Sequence, residues 1–238
     1  MINSPFISII TVVWNNKSGI LRTLKSIENQ SFKNFEHIII DGASNDGTIE
    51  EINRFNNVNQ VLISEKDNGI YDAMNKGIKM AKGEYIAFLN SGDWYENNTL
   101  SIVSEILIDN NKIQILHGLL AYYNSSLDLE YILGDSSTTL PNRMIQHPTC
   151  FVKSNLYKQN LYDLKFKSAS DYNTFIKFYL NNYNFKFLPV IFANFVNDGI
   201  SQSIISRIES IEIKRKYKFI TYKKYILLRI LYKLNKLF

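Results

Sequence analysis

The sequence predicts an α/β fold: a mostly parallel sheet flanked by helices, with a mixed α+β second half and a basic amphipathic helical tail. Three observations lead there. Apolar runs at Phe6 to Val13, His37 to Ile40, Val61 to Ile63 and Tyr85 to Leu89 alternate with stretches whose apolar residues recur at helical spacing. That alternation is the pattern of right-handed βαβ crossovers. Polar or glycine-bearing segments follow three of these runs: Trp14-Asn15-Asn16, Asp41 to Thr48, and Asn90-Ser91-Gly92-Asp93. In such sheets ligands gather at the carboxyl ends of strands. Finally, 238 residues of which 45% are hydrophobic can bury a sizeable core.

Taken in order, Phe6 to Val13 is β-branched and apolar throughout, as a central strand buried on both faces requires. Leu21, Leu24 and Ile27 then mark a helix. After His37 to Ile40, two glycines and several cap-forming side chains make Asp41 to Thr48 a tight loop into a helix through Ile52 and Phe55. Asp46 is read there as a cap for the helix at Thr48. Ile70, Ala73, Met74, Gly77, Ile78 and Ala81 share one helical face. Asp67-Asn68-Gly69 supplies the start signal and Gly83, in the left-handed conformation, the stop. Lys76 and Lys79 belong to the solvated face. The second half is less regular. A helix is expected at 99–110, with short strands at Ile113 to His117, Leu119 to Tyr123, Leu129 to Leu133 and Cys150 to Val152. A helix opens at Asp171, and Phe185 to Phe195 alternates like a strand. One domain over 1–203 is expected, with a regular half at 1–95 and a mixed half at 96–203, followed by the tail at 204–238.

Charge and cysteine content bound the chemistry. The net charge of +5 conceals an asymmetry: residues 204–238 carry ten Lys/Arg and two acids, and the rest carries 17 basic and 20 acidic residues. An acidic body argues against nucleic acid as a partner. In the tail Ile226, Leu227, Ile230, Leu231, Leu234 and Leu237 form an apolar stripe among lysines, arginines and tyrosines. The one-sided charge favours an interfacial helix on an anionic membrane surface over the plainer alternative, a helix packed on the body or on a dimer partner. With one cysteine, Cys150, no intramolecular disulfide forms. No stretch reaches the roughly 20 apolar residues of a spanning helix, and no leader is read at the start. The expected setting is cytoplasmic, peripheral to the inner face of the membrane.

Several polar residues sit where chemistry could occur, each with a plainer alternative. Asp41, at the end of the second strand, suits a nucleobase N–H or ribose hydroxyl, or a turn cap. Asp67 could meet a nucleotide or cap its helix. Asp93 suits a hard divalent cation, Mn²⁺ or Mg²⁺, which takes oxygen ligands and bridges phosphates. Asn90 could add a neutral oxygen and Ser91 lies beside them, although the same residues could form an Asx turn. His147 stands without metal-ligand spacing, and the nearby Cys150 reads as an inert buried thiol. Asp171 opens a helix whose dipole favours the ionised form, as a proton acceptor needs and as an ordinary cap also would. The absence of G-x-G-x-x-G and G-x-x-x-x-G-K-[ST] argues against a dinucleotide dehydrogenase and a P-loop NTPase.

Together FISIITVVWN at 6–15, DGASNDGT at 41–48, EKDNGIYDAMNKGIKMAKGEYIAFLNSGD at 65–93 and ASDY at 169–172 resemble family 2 glycosyltransferases of the GT-A (Rossmann-like) fold, polysaccharide-biosynthesis branch. The resemblance runs in motif order over about 5–202. It implies inverting transfer of a sugar from a UDP- or GDP-linked donor to a hydroxyl of a glycan or lipid-linked acceptor. By motif match Thr11, Val13 and Asp41 would lie against the nucleoside, with Asp67 nearby. Asp93 would close the D-x-D metal motif, and Asp171 would be the catalytic base. Asn197, Gly199 and Ser201 resemble a late loop closing over the donor. Two departures stand out: Asn90 replaces the first aspartate of the metal motif, and Ser170 replaces the acid often found before the base. A catalytically silent nucleotide-sugar-binding module is therefore a rival, as is a nucleotidyltransferase, although DGASNDGT has no basic residue to grip a triphosphate.

Overall fold

A computed structural model of the chain describes residues 4–55, 59–196 and 204–234. The first half follows the alternating pattern: β1 (Ile7–Val13), α1 (Lys17–Glu28), β2 (Phe35–Asp41), α2 (Thr48–Arg54), β3 (Gln60–Ser64), α3 (Ile70–Met80) and β4 (Tyr85–Phe88). Then come β5 (Trp94–Tyr95), α4 (Thr99–Asp109), β6 (Ile115–Tyr123), β7 (Leu129–Leu133), β8 (Phe151–Lys153), α5 (Ser154–Gln159), α6 (Ser170–Leu180), β9 (Phe185–Val196), α7 (Ile204–Lys216) and α8 (Tyr222–Leu234). One sheet runs β3-β2-β1-β4-β8-β6-β9-β5, with β7 paired to β6. The β3-β2-β1-β4 half is wholly parallel. Beyond it β8 is antiparallel to both neighbours, and β6 and β9 are parallel.

Alternation along β1 distributes the core. Ile10 and Val12 face a cluster with Tyr71, Met74 and Ile78 of α3, Phe175 and Phe178 of α6 and Ile213 of α7. Ile7 and Ile9 face the opposite layer with Leu100, Val103 and Leu107 of α4. Successive side chains of a strand point to opposite faces, so one strand serves both layers. Each fully buried side chain of this size contributes roughly 1.5–3 kcal/mol.

Four local expectations change. Ile113 to His117 and Leu119 to Tyr123 are one strand, β6, whose register against β9 shifts around Gly118. Gly118 is not a strand break; a Cβ there would lie 2.6 Å from Phe192 and 2.7 Å from the Val190 carbonyl. Gly83 is not left-handed: the positive-φ glycines are 47, 69 and 92. It is required because β1 passes so close that a Cβ would lie 2.5 Å from the Ser8 amide nitrogen. The α3 face holds at Ala73, Met74, Gly77, Ile78 and Ala81 but not at its start, where Tyr71 is buried and Ile70 is 40% exposed. Lastly, residues 204–234 form two helices, broken where Lys218 takes a positive φ of 62°. The first packs against α6, while α8 leaves Tyr222, Leu227, Ile230 and Leu231 exposed. No helix among the described residues is long and apolar enough to cross a membrane.

Candidate active site

A cavity of about 770 Å³ opens at the carboxyl ends of β1 and β4. Its walls include Val13, Asp67, Asn90, Ser91, Asp93, His147 and Asp171, which lie far apart in sequence. The crossovers deliver them to one end of the sheet, because every parallel strand points the same way.

The β4 exit is the most constrained wall. Gly92 adopts φ +104°, a conformation suited to glycine. The Thr23 hydroxyl accepts from the Gly92 amide at 3.0 Å and donates to the Asp93 carbonyl at 2.7 Å. The Asp93 amide returns to the Asn90 carbonyl at 3.0 Å. Asn16 caps α1 through its Oδ1, and its Nδ2 donates to the Ser91 carbonyl at 3.1 Å. Asp93 is 5% exposed. Asn90 Oδ1 and Ser91 Oγ are buried without a hydrogen-bond partner. Such atoms carry a desolvation cost that a ligand can relieve. No cluster of three His, Cys, Asp or Glu able to hold a metal exists among the described residues. The residues present could offer a hard cation one carboxylate, that of Asp93, and the Asn90 and Ser91 oxygens.

Asp171 sits in the first turn of α6, half-buried. The Tyr71 hydroxyl donates to its Oδ1 at 2.9 Å, and the Tyr172 amide donates to the same oxygen at 2.8 Å. Burial, and then the Asp171 charge, hold the Tyr71 phenol well above its ordinary pKa, so Tyr71 stays a donor. The arrangement leaves Oδ2 free of these bonds, as a proton-accepting oxygen requires.

The other candidates fall into three groups. Asp67 lines the cavity and closes a turn by accepting from the Gly69 amide at 2.9 Å; it does not cap α3, whose N-cap is Gly69 without a side-chain bond. Its Oδ2 would meet a Cβ on Gly42 at 2.7 Å, so the glycine makes room for the carboxylate. Val13 also lines the cavity. His147 lines it too, but its Nε2 is bonded to the Tyr162 hydroxyl at 2.9 Å and its ring stacks on Phe88. Burial lowers its pKa, so the ring is neutral. Thr11 and Asp41 lie behind the wall. Thr11 bonds the His37 ring and the Leu89 carbonyl, each at 2.8 Å. Asp41, fully buried, accepts from the Ser44 amide and the Ser44 and Ser64 hydroxyls, which fixes the loop after β2. Asn197, Gly199 and Ser201 lie outside the described residues. Asp46 accepts from the Thr48 amide and also from the Lys17 amide, so it joins the starts of α2 and α1. Burial raises the pKa of Cys150, an inert thiol.

Three cavity residues carried no local signal in the sequence: Tyr71, Arg22 and Lys167. The Arg22 guanidinium lies 4.8 Å over the Trp94 ring and 3.5 Å from the Gly92 carbonyl, beside the Asn90–Asp93 loop. A cation one turn into α1 and a tyrosine on α3 acquire meaning only when the fold brings them to the acids.

The family model for "Glycosyl transferase family 2" matches residues 8–183. A PGL/p-HBAD biosynthesis glycosyltransferase of Mycobacterium bovis is 27% identical over 217 residues, which are 86% of this chain and 82% of the relative. S. aureus TarS 1–349 in complex with UDP-GlcNAc superposes with a TM-score of 0.74 at 18% identity, covering 95% of this chain and 71% of that one. A longer TarS chain is covered to 38%. The mannosyltransferase PcManGT of Pyrobaculum calidifontis, in complex with GDP-Man and Mn²⁺, superposes with a TM-score of 0.70 at 16% identity, covering 97% and 70%. At these identities the two structures establish a shared fold.

Proposed function

Because this chain belongs to glycosyl transferase family 2, we propose that it transfers a sugar, with inversion, from a UDP- or GDP-linked donor to a hydroxyl of a glycan or lipid-linked acceptor in cell-surface polysaccharide biosynthesis. The observation that supports this best is one continuous cavity, walled by Asp93 with the unpartnered Asn90 and Ser91 oxygens on one side and by Asp171 on another. The molecules bound to the two structural neighbours, UDP-GlcNAc and GDP-Man, support donors of these two kinds.

Asp171 takes the proton of the acceptor hydroxyl as its oxygen attacks the anomeric carbon. The bond from that carbon to the diphosphate oxygen breaks, its electron pair leaves with the nucleoside diphosphate, and the proton rests on Asp171. Attack from the face opposite the leaving group inverts the centre. Tyr71 holds the carboxylate through one oxygen, so the other meets the acceptor. Val13 and Asp67 border the nucleoside, and Thr11 and Asp41 support that wall from behind. Arg22 offers the leaving diphosphate a positive charge. Asp93, with Asn90 and Ser91, would hold Mn²⁺ or Mg²⁺, which as a Lewis acid offsets the charge that grows on the leaving group.

The exposed Tyr222, Leu227, Ile230 and Leu231 of α8, with Lys223, Lys224 and Arg229 around them, suit the anionic inner face of a membrane. A lipid-linked acceptor would be met there.

Nucleoside diphosphate release from UDP-GlcNAc, UDP-glucose and GDP-mannose, with Mn²⁺, tests the reaction. One donor should be consumed in preference to the others. Asp171→Asn should then lower turnover by ~10²–10⁴-fold, the usual worth of a general base, with nucleotide affinity unchanged within about 2-fold. No consumption of any donor, or equal losses of binding and turnover, would overturn the assignment.

A further inference from the structure

We infer that Glu209 of α7 is a positioning residue for the loop that carries the base, an inference that rests on the reading of Asp171 above. Glu209 Oε1 accepts from the Lys167 amide at 2.8 Å, and Oε2 accepts from the Ser168 and Ala169 amides, each at 2.9 Å. Three consecutive amides thus converge on one side chain from about 40 residues further along the chain. The carboxylate is 9% exposed, and no Lys or Arg among the described residues pairs with it. Of its partners, the Ala169 amide is the N-cap group that a helix leaves without an intrahelical acceptor, and the other two belong to the loop that leads into α6.

The location gives the clamp its meaning. Lys167 and Ser168 line the cavity, Ala169 is the N-cap of α6, and Asp171 follows two residues later. The same helix grips the other side of Asp171. Lys216 Nζ and the Tyr217 hydroxyl donate to Asn173 Oδ1 at 3.2 and 3.1 Å, and Lys214 lies 6.0 Å over the Tyr172 ring. The first tail helix therefore brackets the base. Only a carboxylate offers two acceptor oxygens and no donor. Glutamine has nearly the same shape, but its NH₂ would face an amide hydrogen.

The test uses the full chain as wild type, Glu209→Gln, Glu209→Asp, Asp171→Asn and Asp171→Asn/Glu209→Gln. Amide hydrogen exchange at 167–169 should speed up in both single Glu209 variants, with the rest of α6 still protected. On the preferred donor, kcat should fall by about 10- to 100-fold, the scale of a misplaced catalytic group, while donor KM and the affinity for that donor's nucleoside diphosphate stay within about 2-fold. The double variant should be no slower than Asp171→Asn. Glu209→Asp keeps the charge and guards against a folding defect in Glu209→Gln. Unchanged exchange at 167–169, or unchanged kcat in both Glu209 variants alongside an inactive Asp171→Asn, overturns the inference while the reading of Asp171 stands. An Asp171→Asn that turns over normally overturns that reading and the inference with it.

Discussion

His117 lies on β6 with both ring nitrogens buried and without partners, against Phe185 and Phe187. Burial pushes its pKa down to about 4. Between that value and the ordinary ~6.5 the unfolded chain binds a proton that the folded chain refuses, so stability falls as pH drops through this window. At pH 5 the loss from His117 is about 2 kcal/mol. His117→Leu should therefore lose about 2 kcal/mol less than wild type between pH 7.5 and 5 in urea titrations. Parallel pH profiles for the two proteins would rule this out.

Single residues also show how far the sequence can be read. Asp93 and Asp171 were visible at the end of an apolar run and the start of a helical one, places where a turn or cap aspartate also stands, and the motif resemblance singled them out. Their partners were not legible. Tyr71 reaches Asp171 across 100 residues of sequence, and Thr23 reaches Asp93 across 70. Asp41 was visible as a turn cap, and its bonds from Ser44 are of that local kind, but its bond from Ser64 and that of His147 with Tyr162 join residues that no spacing rule connects.

Among the elements, the turn between α3 and β4 rests on a close approach. A Cβ on Gly83 would lie 2.5 Å from Ser8 N, 2.7 Å from Ser8 Oγ and 2.8 Å from Ile7 C. Two of these atoms are backbone in a central strand and cannot swing aside. The Gly83 amide also donates to Ser8 Oγ at 2.8 Å, and its carbonyl accepts from Ser154. Gly83→Ala should cost about 2 kcal/mol, as overpacking does, seen as a lower urea midpoint at unchanged slope. A variant as stable as wild type would mean that β1 and the turn separate freely. The sequence marked Gly83 as a stop but not why, because a stop signal says nothing of the strand that passes behind it.

For the whole molecule, the parallel half was legible in both its elements and its topology, whereas the mixed half was legible in its elements, such as α4, β7, α6 and β9, but not in how they pair. Right-handed crossovers tie strand order to chain order over the first four strands. In β8, β6 and β9 the pairing joins segments far apart, and β5 has only two residues. No local pattern announces such partners. The tail follows the same logic: its charge and apolar stripe were visible, while the packing of α7 on α6 needed the fold. Removal of the chain after Phe219 deletes α8 and leaves α7 in place. Vesicles containing anionic lipid should co-sediment the full chain and leave the shortened one in solution, with salt weakening the binding. Equal sedimentation of both would remove α8 from any membrane role.

The measurement that bears most directly on the nucleotide-sugar site is calorimetric binding of UDP and GDP to the full chain, each with and without Mn²⁺. One nucleotide should bind in preference, more tightly with the ion, and Asp93→Ala should abolish the ion's effect. Failure of both nucleotides to bind under either condition would contradict a donor site at the β4 exit.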